Sequence, residues 1–251
     1  MAAMFFPRPL WQRASMEAAE YALMDQAESR MWWYRALHTR LAAALADIDG
    51  PVLDAGCGTG GLLATLPRAC FGLEYFEPAA HLAAAKSGAS ICVGSINALP
   101  YADSSFAAAV SADVLCHAAV DPAIALAELH RVLRPGGRLV LNLPAYQWLL
   151  AAHDLRVHNA RRFTATAARA LLAAAGFTAI RTRYWNSLLL PLMILQRKIL
   201  ARRHNAASDV AAFSPWLDAT LHGITRLERH LPALPFGGSV LVTATRPGTT
   251  P

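Results

Sequence analysis

Apolar residues recur at helical intervals early in the chain and then give way to short apolar runs separated by polar breaks. Between positions 16 and 46, Tyr21, Leu23, Met24, Met31, Trp32, Leu37, Leu41 and Leu45 fall three or four apart often enough to predict a helix. Residues 1–15 read as an irregular arm. Short apolar runs at 52–54, 70–74, 91–94, 107–111 and 138–143 each predict a strand. Helical patterns lie between them at 78–86 and 123–133, the second stopped by Pro135-Gly136-Gly137. Thr164 is placed to cap a helix running to Ala175, and Gly176 to end it. Strands six and seven are expected at 178–184 and 239–245. Strands alternating with helices imply an α/β protein with a mostly parallel sheet. The stretch 186–237 between the last two strands carries two further helical patterns, around 188–203 and 216–230. It is too long for a hairpin connection and is expected to form a substrate lid, the alternative being a packing extension.

The break after the first strand is the most informative. Val52-Leu53-Asp54-Ala55-Gly56-Cys57-Gly58-Thr59-Gly60-Gly61 reads as strand and tight turn, with Leu62, Leu63 and Leu66 following at helical spacing. Gly56, Gly58 and Gly61 satisfy G-x-G-x-x-G, the dinucleotide fingerprint. Asp54 argues against that ligand, because a carboxylate two residues before the first glycine would repel a pyrophosphate. It suits an ammonium group instead. Glu74 closes the next apolar run, at the spacing where an acid meets ribose hydroxyls. A ribose beside an ammonium group describes S-adenosylmethionine.

These residues resemble the first motif of class I S-adenosylmethionine-dependent methyltransferases, of the methyltransferase type 11 kind. Leu99-Pro100-Tyr101-Ala102-Asp103-Ser104-Ser105-Phe106 resembles their L-P-F-x-D-x-x-F stretch. Ala127-Glu128-Leu129-His130-Arg131-Val132-Leu133-Arg134-Pro135-Gly136-Gly137 resembles their E-x-x-R-V-L-(K/R)-P-G-G signature. The resemblance spans roughly residues 50–145. It implies a Rossmann-like fold with a seven-stranded sheet. It also implies S-adenosylmethionine as cofactor and S-adenosylhomocysteine as product. Asp54 with the glycine loop, Gly56, Cys57, Gly58 and Gly60, is then expected at the methionine end, Glu74 at the ribose and Ser95 at the adenine, with Tyr75, Ile96 and Asp113 in the same cofactor-binding set. Ser95 and Ala107 stand where the family often has Asp.

The chain of 251 residues is expected to be one domain, with residues 1–48 as a helical cap and 186–237 as the lid. Hydrophobic residues make up 55%, enough for a sizeable core, and the net charge is +6, concentrated after residue 155. That balance selects no partner by itself. Cys57, Cys70, Cys92 and Cys116 lack metal-ligand spacing and read as reduced thiols, hence no metal and a cytoplasmic location. No separate nucleic-acid-binding module is evident, and the apolar run 188–195 is far below membrane-spanning length.

Acceptor chemistry is sought beyond the carboxyl ends of the strands. His117 follows strand four. His153, Asp154, His158, Arg161 and Arg162 crowd the loop after strand five. His153, His158 or His117 is a candidate base, with Asp154 orienting a ring, and Arg161 or Arg162 a candidate for a substrate anion. Trp33, Tyr34 and Tyr146 are expected against the substrate. The expected function is methylation of a small molecule at oxygen or nitrogen. The alternatives are a lipid- or quinone-like acceptor at a membrane surface and a non-catalytic protein that keeps the cofactor site.

Overall fold

A computed structural model of the chain describes residues 18–248 apart from 68, 152–153, 156 and 201–213. The expected arm at 1–15 and His153 therefore lie outside the described residues. Seven strands form one sheet: β1 (Val52–Ala55), β2 (Cys70–Glu74), β3 (Ser90–Val93), β4 (Phe106–Ala112), β5 (Leu133–Pro144), β6 (Thr178–Trp185) and β7 (Ser239–Thr245). Their order is β3-β2-β1-β4-β5-β7-β6. The first five run parallel, and β7 is antiparallel to both β5 and β6. Every residue of β1 is buried, as a central parallel strand covered on both faces requires.

Among the described residues, seven helices flank the sheet: α1 (Ala18–Ala27), α2 (Trp32–Leu45), α3 (Glu77–Ser87), α4 (Pro122–Val132), α5 (Ala165–Ala174), α6 (Leu190–Leu195) and α7 (Pro215–Glu228). The caps are local chemistry. Asp121 accepts the N–H groups of Ala123 and Ile124 at 2.9 and 3.2 Å to start α4, and Thr164 accepts the Ala167 N–H at 3.1 Å to start α5.

Three expectations change. The helix expected over 16–46 is two helices, and the turn between them lets Glu28 reach Thr59 Oγ1 at 2.6 Å and Lys86 Nζ at 2.8 Å. The expected helix after the glycines is only a 3-10 turn, Leu63–Thr65. Pro67 leaves too few residues between itself and the glycines for a helix to nucleate. The helix expected around 188–203 begins only at Leu190, with Pro191 in its first turn where the missing N–H is no loss, and is α-helical only to Leu195. A π-helical turn, Gln196–Leu200, continues α6.

Two of the three recognised motifs meet as a clamp. Arg131 grips Glu128 with its Nε and Nη2, both at 2.8 Å, and donates to Asp103 and to the carbonyls of Leu99 and Tyr101. Glu128 accepts the Leu99 N–H at 2.7 Å. This bidentate pair ties α4 to the segment before β4 and leaves the cavity chemistry to the first motif.

Candidate active site

Beyond the carboxyl ends of the strands lies a cavity of about 410 Å³. Asp54, Gly56, Cys57, Gly58, Glu74, Tyr75, Ser95, Ile96 and Asp113 all line it, as do Trp33, Tyr34 and His117. Gly60 does not. A Cβ there would lie 2.7 Å from the backbone of Ala83, so its role is to let α3 approach. His158, Tyr146 and Arg161 also stand outside the lining. Arg161 Nη1 donates to the carbonyls of Leu115, His117 and Val120 at 3.0, 2.9 and 2.7 Å and braces the segment after β4. Tyr146 stacks between Trp148 and Tyr184, with ring centroids 5.8 and 5.5 Å away. His158 adopts φ 56° and gives its carbonyl to the Ala118 N–H at 2.9 Å.

The glycine-loop end is acidic. Glu74 Oε2 accepts the Gly58 N–H at 2.9 Å, and Oε1 accepts the Phe76 N–H at 2.9 Å and the Tyr21 hydroxyl at 3.0 Å. Burial, then the neighbouring Glu28 and Glu74, push the Asp54 carboxyl up to about 8. Burial also raises Glu74 and Glu28. Lys86 serves Glu28 and Asp25. Helix α1 lies directly on the glycines: a Cβ on Gly58 would meet Met24 at 2.7 Å, and one on Gly61 would meet Glu28 at 2.6 Å. The close approach they permit is thus to the α1 cap as well as to a ligand. Among the described residues, nothing forms the expected helix N-terminus here.

The far end is aromatic and basic. Trp33 stacks on Trp185 with centroids 6.2 Å apart and meets Tyr34 edge-on at 5.1 Å. Trp185 is held by its indole N–H donating to Asn142 Oδ1 at 2.8 Å and by the Arg40 guanidinium 4.5 Å above its ring. Asp154 orients no histidine among the described residues. It is buried, accepts from Arg162 Nη2 and Arg197 Nη1 at 2.7 Å each, and takes the Ala151 N–H at 2.9 Å. Burial alone would raise it, but the two guanidiniums hold it below its ordinary value. Asp154, Arg162 and Arg197 all line the cavity, so this pair joins the segment after β5 to the π-helical turn after α6.

Among the described residues, two imidazoles line the cavity, those of His117 and His38. His117 Nδ1 stands 2.9 Å from the Val157 carbonyl. A carbonyl only accepts, so Nδ1 carries the proton and Nε2 keeps a lone pair. Burial lowers the pKa of His117 and keeps the ring neutral. His38, on α2, is lowered to about 4 by burial and then by Lys86. His38, Glu28, Tyr21 and Arg197 were not singled out from sequence as site residues, and Asn186 stood out only as a residue following strand six. They sit in ordinary helical or post-strand positions with no local signature. Asp113 is pushed up to about 7 by burial, while both its oxygens accept from Asn142 Nδ2 at 3.0 Å.

Residues 53–141 match the model of the methyltransferase domain family. A protein of Mycolicibacterium smegmatis named as a probable S-adenosylmethionine-dependent methyltransferase is 35% identical over 166 residues, 63% of this chain and 63% of that protein. A ubiquinone/menaquinone biosynthesis C-methyltransferase of Rubrivivax gelatinosus is 34% identical over 154 residues, 56% of this chain and 59% of that one. Each match thus spans less than two thirds of the relative's length. The crystal structure of a SAM-dependent methyltransferase from Thermotoga maritima superposes with a TM-score of 0.61 at 19% identity, covering 95% of this chain and all of that one.

Proposed function

Since this chain belongs to the class I S-adenosylmethionine-dependent methyltransferases, we propose that it methylates a small, largely apolar molecule at oxygen or nitrogen. The observation that carries the reading is one cavity with an acidic end built on the glycine loop and an aromatic end built on α2 and the 186–237 insertion. Its volume of about 410 Å³ lies in the range of small-molecule sites.

The residues present fit the cofactor. Asp54 is a buried acid short of a cation, which the ligand's ammonium would answer, and Glu74 is a buried acceptor that ribose hydroxyls would answer. Asp54 with Gly56 and Gly58 would hold the methionine end, Glu74 and Tyr75 the ribose, and Ser95 and Ile96 the adenine. When bound, S-adenosylmethionine supplies a methyl group already activated on sulfur. The protein then has mainly to position the acceptor and exclude water. A hydroxyl acceptor must also lose a proton. His117 is equipped to take it, being neutral and with Nε2 unprotonated. In this reading the chain is one domain, residues 1–48 are its cap, and 186–237 is its lid. The four free cysteines fit a reducing, cytoplasmic setting.

A second reading keeps the chemistry and changes the acceptor to a quinone-like ring carried at a membrane surface. The aromatic wall and the Rubrivivax relative's named role in ubiquinone/menaquinone biosynthesis favour it. No described helix is long and apolar enough to cross a membrane.

The test is turnover of methyl-labelled S-adenosylmethionine with panels of phenols, amines and short-tailed quinols. Label should reach a phenol or amine, and Glu74→Ala should abolish it. Transfer confined to quinols would select the second reading. Cofactor binding with no transfer to any panel member would leave a binding protein of the same fold.

A further inference from the structure

Asn186 follows the last residue of β6 and turns the chain into the lid. Its backbone has φ 58°, a region that Asn tolerates better than most side chains, and its carbonyl accepts the Gly238 N–H at 3.3 Å. That explains the backbone but not the side chain. Asn186 is fully buried, yet neither Oδ1 nor Nδ2 has a hydrogen-bond partner. An Asn chosen only for its turn would bond its own backbone or face water.

The neighbourhood pairs its other buried polar groups. Asn142 accepts from Trp185 and donates to Asp113. The Ser187 hydroxyl donates to the Phe236 carbonyl, and Thr225 donates to the His222 carbonyl. Asn186 differs in lining the cavity. One other orphaned donor shares that lining, the indole Nε1 of Trp32. The remaining unpaired atoms, Arg35 Nε and His222 Nδ1, belong to residues outside it.

Around Asn186 the cavity is apolar: Trp32, Trp33, Leu189, Leu192, Met193 and Leu221 line it. This end is also remote from the glycine loop. In the sheet, β6 stands four strands from β1, at the edge opposite β3. An amide held here has no part among the acids and glycines that fit the cofactor.

We infer that Asn186 is the polar anchor of the acceptor, and that the acceptor is an uncharged aromatic molecule bearing a hydroxyl or carboxamide. The inference rests on the methyltransferase reading and names its substrate class. The amide has an acceptor and two donors to satisfy. A hydroxyl or carboxamide offers both roles at once. A carboxylate or phosphate only accepts and would leave Oδ1 bare. An ammonium only donates and would leave Nδ2 bare. Trp32 Nε1 supplies one further donor to the oxygen of such a group. The aromatic wall takes the rest of the molecule. A site built to bond a hydroxyl rejects the analogue that lacks it, because its own buried groups stay unpaired.

The experiment uses the full chain saturated with S-adenosylhomocysteine, whose binding is measured first by calorimetry. Probes are 2-naphthol, 2-naphthamide, naphthalene, 2-naphthoate and 2-naphthylmethylamine, titrated by quenching of tryptophan fluorescence. The wild type should bind 2-naphthol and 2-naphthamide about tenfold more tightly than naphthalene or 2-naphthoate, the scale of a satisfied buried amide. Asn186→Gly keeps the backbone conformation and removes the amide. It should bring the probes within about twofold of one another and leave S-adenosylhomocysteine affinity unchanged. Asn186→Asp keeps the shape and should move the preference to 2-naphthylmethylamine. Equal binding of all probes by the wild type, a preference for 2-naphthoate, or a preference that survives Asn186→Gly would overturn the inference and leave the cofactor reading standing. A wild type that binds no S-adenosylhomocysteine would overturn that reading and the inference with it.

Discussion

At the glycine-loop end of the cavity three carboxylates, Glu28, Asp54 and Glu74, face one ammonium, Lys86, which Asp25 also shares. At the other end one carboxylate, Asp154, faces two guanidiniums, Arg162 and Arg197. The carboxylates of both sets are buried and line the same space, so burial does not separate them. Balance does. Asp154 is paired on both oxygens by the protein itself and is held low. Asp54 has only acids named among its charged neighbours and is held high. Buried charge is costly unless matched. The paired end therefore serves to hold the fold together, and the unmatched end waits for a cation from outside. A cluster of polar residues in a loop is equally conspicuous in both roles, and only the partners tell them apart.

The largest effect should come from breaking the paired end. Asp154→Ala strands two buried guanidiniums and should cost about 3–5 kcal/mol of stability, read as a large drop in melting temperature. Cofactor affinity, measured on the folded fraction at low temperature, should be unchanged. A mild stability loss with abolished turnover would instead make Asp154 part of the chemistry. The next effect belongs to the unmatched end. Glu74→Ala should weaken S-adenosylhomocysteine binding at least about tenfold, since hydrogen bonds to a charged group are being lost. Isothermal calorimetry reads it. Unchanged affinity would sink the assignment of Glu74 to the ribose.

The same contrast explains what was legible in the sequence. The acidic end is built from neighbours in the chain. Asp54 through Gly58 form a single turn, and Glu74 ends the next strand, so residue type and spacing sufficed. The aromatic end is assembled from α2, the segment after β5, α6 and α7. Its contacts span long separations, 183 residues between Arg35 and Asp218 and 43 between Asp154 and Arg197. The polar segment 153–162 could be seen as dense, but its pattern did not reveal that Arg162 lines the cavity while Arg161 turns to three carbonyls. Nor does any periodicity show that Glu28 needs a helix break, because the reason lies at Thr59 and Lys86. Asn186 was visible as a post-strand residue. That its amide lacks partners is a property of the packed structure alone.

Titration sharpens the comparison at a smaller scale. Asp54 has a folded value of about 8 against an ordinary 3.8, so the folded chain binds its proton more tightly than the unfolded chain. The stability tied to that proton is present below about pH 4 and drains away as pH rises through 8. Asp113, pushed up to about 7, acts in the same direction. Without ligand, melting temperature should therefore fall from pH 5 to 8 by more in the wild type than in Asp54→Asn, and Asp113→Asn should also flatten the fall. A cationic ligand needs Asp54 ionised. Binding of S-adenosylhomocysteine should tighten by up to about tenfold per pH unit below 8 and release protons, seen by calorimetry in buffers of different ionisation enthalpy. An affinity flat with pH would place the ammonium group elsewhere.

The smallest effect concerns Tyr21, where α1 closes the acidic end. Its ring stacks on Phe76 with centroids 4.8 Å apart, and its hydroxyl donates to Glu74 Oε1. Burial, reinforced by Glu74, raises the pKa of this phenol, so it stays protonated and remains a donor. Oε1 already accepts the Phe76 N–H as well, and Oε2 accepts the Gly58 N–H. Each carboxylate oxygen has about two acceptor sites. The Tyr75 backbone also bonds Glu74, so with Tyr21 in place all of about four sites are taken, and a ribose that donates from two hydroxyls must displace a donor. The phenol and the ribose therefore compete. Tyr21→Phe keeps the stacked ring and removes the competitor. It should tighten S-adenosylhomocysteine binding by about three- to tenfold, the scale of one net hydrogen bond. The same variant should lose about 1 kcal/mol of stability without ligand, because α1 loses a bond to Glu74. The two changes have opposite signs, which a general loosening of the cap would not produce. Weaker binding together with lower stability would instead mean that the Tyr21 hydroxyl is part of the ribose site, holding Glu74 in place while the ligand binds beside it.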